Sequence, residues 1–89
     1  MFDTYECQND RRNVDVQAIH SYNLSLARHR LSADVNQREF QGLTIGLSKE
    51  NFRQLKSMIR AFVDEVDDSF ETKEDKDDVY HLQIAAFKL

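Results

Sequence analysis

The residues of this 89-residue sequence able to move protons, attack carbonyls or hold metal are three histidines, one cysteine and a dense run of carboxylates. His20, His29 and His81 lie far apart in the chain, and no G-x-S-x-G or paired Cys/His signature accompanies them. Structural or surface roles are expected for all three. Cys7 has no second cysteine to pair with, and no Cys and His spacing resembles a zinc site. The run from Asp64 to Asp78 holds Asp64, Glu65, Asp67, Asp68, Glu71, Glu74, Asp75, Asp77 and Asp78. It lacks the loop glycine and final bidentate glutamate of an EF-hand, so it reads as a solvated face rather than a calcium loop. Gly42 and Gly46 flank Leu-Thr-Ile inside a strand pattern, unlike a phosphate-binding loop, and are expected to permit close packing of a helix or strand. No catalytic residue, cofactor site or metal ligand is assigned, and no enzyme is expected.

Cations offer a different chemistry. Arg53, Lys56 and Arg60 recur at helical spacing, and Arg28, His29 and Arg30 cluster earlier. Two readings stand side by side: a surface for nucleic acid or an acidic protein, or solubilising charge with Arg60 and Asp64 paired one turn apart. The formal charge of −4 disfavours nucleic-acid binding by the domain as a whole, because neutralising phosphates takes clustered Lys and Arg.

Length allows one domain at most, with a modest core. Hydrophobic residues at 40% and charged residues at 31% are ordinary for a globular chain, although the mean hydropathy of −0.67 is polar. No apolar run approaches the ~20 residues of a membrane span, and the first ten residues are polar and acidic where an export signal would be basic and then apolar. A single cysteine fits a reducing compartment, so a cytoplasmic location is expected. Proline is absent and only two glycines occur, so no flexible linker of the usual composition is present.

The elements that position these groups follow from periodicity. Residues 1–12 show no sustained period and read as a tail, leaving 13–89 as a single regulatory or interaction domain. From about Asp15 to Leu31, Ile19, Tyr22 and Leu26 recur at helical spacing, flanked by Leu24, Ala27 and Leu31, with Asn13 or Asp15 as N-cap. Residues 32–37 are a polar connection. Phe40 to Leu47 then alternate with period two, which predicts a strand. Ser48 stands where an N-cap belongs and Glu50 in the first turn. Phe52, Leu55, Met58, Ile59, Phe62, Val63, Val66 and Phe70 follow at spacings of three and four and predict an amphipathic helix.

Glu71 to Asp78 reads as a charged loop, and Val79 to Leu89 as a second strand with Tyr80, Leu82 and Ile84 on one face. Phe87 and Leu89 fall on the opposite parity, so a bulge or a different docking surface is expected after Ala86. The predicted class is α+β: a helix-strand-helix-strand module whose small sheet packs on the amphipathic helix. Two strands leave both edges unpaired, so the sheet is expected to be completed by a second protomer or by the N-terminal tail.

Arg38 to Phe52 (REFQGLTIGLSKENF) and Asp77 to Leu89 (DDVYHLQIAAFKL) resemble segments of a large paralogous family of bacterial helix-turn-helix transcriptional regulators, abundant in predatory deltaproteobacteria and Fibrobacter-like bacteria. The likeness lies in that family's C-terminal domain of unknown function and covers roughly residues 14–89. Ile19-His20, Arg38-Glu39, Leu43-Thr44 and Val79-Tyr80 through Phe87 occupy the places of its short apolar motifs. Lys88 departs from the pattern, standing where the family carries proline. The resemblance implies a C-terminal regulatory module without the family's DNA-binding region.

The expected function is therefore regulation through a protein partner or a homodimer, with Tyr80, Leu82, Ile84, Phe87 and Leu89 as the contact surface. The alternative is a fragment that touches nucleic acid through Arg53, Lys56 and Arg60. No membrane association and no cofactor is expected.

Overall fold

In the computed structural model the described residues are 14–89, so the expected tail at residues 1–12, the candidate cap Asn13 and Cys7 lie outside them, while Asp15, the other candidate cap, lies inside the first helix. Three elements follow in order: α1 (Val14–His29), a 3-10 turn (Val35–Gln37) and α2 (Lys49–Phe70). The described chain divides between Gly42 and Leu43 into two compact units, the first carrying α1 and the 3-10 turn, the second α2 and the C-terminal segment.

In α1 one face is half-buried, formed by Val16, Ile19, His20, Asn23, Leu26 and Ala27 at spacings of three and four. Tyr22, expected on that face, is exposed, and Asn23 takes its place. Asp15 lies in the first turn, Arg28 and His29 in the last, each favoured there by the helix dipole. The helix stops at His29, two residues before the expected end, in a tightened turn where the Arg30 amide donates to the carbonyls of Leu26 and Ala27 at 3.1 and 3.0 Å. Asp34 then starts the 3-10 turn, its Oδ1 accepting from the Asn36 amide at 3.0 Å. Arg38 closes the connection by donating from Nε to the Ala33 carbonyl at 2.9 Å, with its guanidinium 5.9 Å from the centre of the Phe40 ring.

The second unit is organised by α2, which begins where Ser48 predicts. The Ser48 side chain accepts from the Asn51 amide at 3.0 Å, and its carbonyl receives the Phe52 amide at 2.9 Å. An orphan amide of the first turn is thereby satisfied. At the other end the Glu71 amide donates to the Asp67 carbonyl. Phe52, Leu55, Ile59, Val63 and Val66 form a half-buried stripe, whereas Met58, Phe62 and Phe70 are exposed.

The α+β expectation is overturned: among the described residues there are two α-helices and no strand. Residues 39–48 and 79–89 carry no regular structure and form no ladder. Alternation by two shows only that one side of an extended segment favours burial; a strand also needs a neighbouring backbone about 4.8 Å away to take its amides and carbonyls. The expected role of the glycines fails with the sheet, since nothing lies within 4 Å of a Cβ built at Gly42 or Gly46. Among the described residues no side chain is fully buried.

Candidate interaction surface

The histidines are used locally. His29 Nδ1 is 2.8 Å from the Ser25 carbonyl one turn back in α1, and His81 Nε2 is 2.9 Å from Gln83 Oε1. His20 is half-buried on the inner face of α1. Among the described residues no three His, Cys, Asp or Glu side chains stand close enough together to hold a metal ion.

Tyr80, Leu82, Ile84, Phe87 and Leu89 are all exposed, Phe87 at 72% and Leu89 at 92%. The two parities read from the sequence therefore end in the same condition, open to solvent. Leu43, Ile45 and Leu47, whose alternation predicts a strand, are exposed too, Leu43 at 83%.

α2 carries its charge in two blocks. Lys49, Arg53, Lys56 and Arg60 are exposed in the first half with one anion, Glu50. Asp64, Glu65, Asp67 and Asp68 fill the second half, which holds no cation. This order opposes the helix dipole, which favours anions at the start and cations at the end. The expected pair of Arg60 with Asp64 does not form, and among the described residues no ion pair engages these cations or carboxylates. Asp67 Oδ1 is withdrawn from solvent and has no hydrogen-bond donor among the described residues, a condition that costs about 1 to 3 kcal/mol or more for a charged group.

Among the described residues no helix is long and apolar enough to cross a membrane. Neither a curated protein nor a solved structure matches the chain. The family model described as "Domain of unknown function (DUF4423)" matches residues 3–89, nearly the whole sequence, and the chain belongs to that family.

Proposed function

We propose that this chain is a regulatory, protein-interaction module of a bacterial transcriptional regulator of the helix-turn-helix type, acting in the cytoplasm through self-association and not through catalysis. The observation that carries the reading is exposure. Eighteen large apolar side chains of the described residues are more than a third exposed, and none of the described side chains is fully buried, whereas a folded domain ordinarily buries a core of such residues. The exposed set is concentrated in 43–47 and 79–89, whose backbones also lack ladder partners. A protein surface that covers the side chains and accepts the backbone hydrogen bonds relieves both costs at once.

Sedimentation of the purified chain over a hundredfold concentration range tests this. A mass that rises to a defined oligomer supports the reading; a folded monomer at every concentration sinks it.

A second reading is favoured by the exposed, unpaired cations Arg53, Lys56 and Arg60, which could track a phosphate backbone. Gel shifts across a salt series separate the two, because binding through phosphates weakens steeply as salt rises, whereas apolar self-association does not.

A further inference from the structure

We propose that α2 is a self-complementary element that fixes how two copies of this chain meet: antiparallel, about a two-fold axis passing near Arg60. The proposal rests on the self-association argued above and adds its orientation and register. Lys49, Arg53, Lys56, Arg60, Asp64, Asp67 and Glu71 follow one another at spacings of three or four, so they form a single stripe along the helix. That stripe is positive up to Arg60 and negative from Asp64 onward. A two-fold axis perpendicular to the helix turns the second copy end for end while keeping the same stripe at the contact. Lys56 then comes opposite Asp64 of the second copy, Arg53 opposite Asp67, and Lys49 opposite Glu71, each pair occurring twice. Arg60 alone meets its own copy at the axis, with Asp64 one turn along to share its charge. A parallel arrangement would set cations beside cations and carboxylates beside carboxylates.

A further feature points the same way. The charge order is the reverse of what the dipole of α2 favours, so it weakens the isolated helix. An antiparallel neighbour offsets this at both ends by bringing its own basic first half to the acidic last turns. Lys49, Arg53, Lys56, Arg60 and Asp64 are exposed, and Asp67 and Glu71 are half-exposed, so the stripe is open to a neighbour. Exposed ion pairs add little strength each. Their role here is to select orientation and exclude misaligned partners, while the exposed apolar segments supply the affinity.

Orientation is read by disulfide formation in the full chain carrying Cys7→Ser. Lys56→Cys alone should not cross-link to itself, because in the antiparallel register the two copies of position 56 lie about 12 Å apart along the helix, beyond the roughly 4.4 to 6.8 Å a disulfide spans. Mixed with Asp64→Cys, it should form the mixed disulfide. Both sites are exposed single substitutions, so the fold is retained. In parallel, Arg53→Glu/Lys56→Glu and Asp64→Lys/Asp67→Lys should each weaken self-association by roughly tenfold or more, and mixing the two should restore it. If the Cys7→Ser chain is a folded monomer, the self-association reading falls and this proposal with it. If the chain associates but Lys56→Cys links to itself, or the mixture gives no link, or the charge reversals leave association unchanged, only the antiparallel α2 contact is overturned.

Discussion

Lys56 and Asp64 stand two turns apart on one stripe of α2, and the charge of that stripe changes sign between them. The same helix starts at a serine cap and runs through a half-buried apolar row on another of its faces. One element thus carries the ordering signal of its unit and its charge pattern, and a substitution can be aimed at either.

Ile59 lies in the half-buried row beside Leu55 and Val63. Full burial of such a side chain contributes about 1.5 to 3 kcal/mol, and truncating a buried isoleucine to alanine costs about 2 to 5 kcal/mol. Because Ile59 is only partly covered, Ile59→Ala in dilute protein should cost about 1 to 2 kcal/mol, measured as a lower urea midpoint with an unchanged slope. An unaltered midpoint would remove this row from the packing of the unit.

Ser48→Ala should destabilise the chain by about 1 kcal/mol, because the Asn51 amide loses its acceptor at the start of α2. Hydrogen exchange offers the sharper readout. Protection should fall at Asn51 and in the first turn and remain in the middle of the helix; equal protection throughout would show that the cap contributes nothing.

The bounds of α2 are legible because they are local: Ser48, Glu50 and the three-and-four spacing suffice to set it from Lys49 to Phe70, whereas α1 ends at His29, short of the Leu31 that its spacing predicts. The status of 39–48 and 79–89 was not legible, because pairing is a relation between segments and alternation describes only one of them. Tyr22 and Phe62 show a related limit. Each has the spacing of a core residue, yet each is exposed, since spacing defines a face and the neighbouring chain decides how much of it is covered. The family match, to a domain of unknown function, extends along nearly all of the chain, from residue 3 to residue 89.

Asp68 lies in the last turn of α2, off the charged stripe, with its carboxylate at the end where the dipole is already negative. Asp68→Lys should therefore stabilise the chain by about 0.3 to 1 kcal/mol at low salt, with the gain shrinking as salt is added. Thermal melts at two ionic strengths check both parts. A loss of stability at low salt would mean that Asp68 serves a contact within the chain that outweighs the dipole.

Phe87 should separate folding from association. It is 72% exposed and stands two residues before Leu89 in a segment without ladder partners, so within one chain its ring contributes little packing. Phe87→Asp should leave the helical circular dichroism and the melting of dilute protein almost unchanged, because surface substitutions away from packed features usually shift stability by less than about 0.5 kcal/mol. Self-association responds differently, since a carboxylate placed in an apolar contact must be desolvated without a partner. The expected outcome is a monomer by light scattering at concentrations where the parent chain associates, with Asp68→Lys, which lies off the proposed contact, still associating like the parent. If Phe87→Asp instead lowers the melting temperature of dilute protein by many degrees, the ring packs inside its own unit and the contact surface must be sought among Leu43, Ile45 and Leu47.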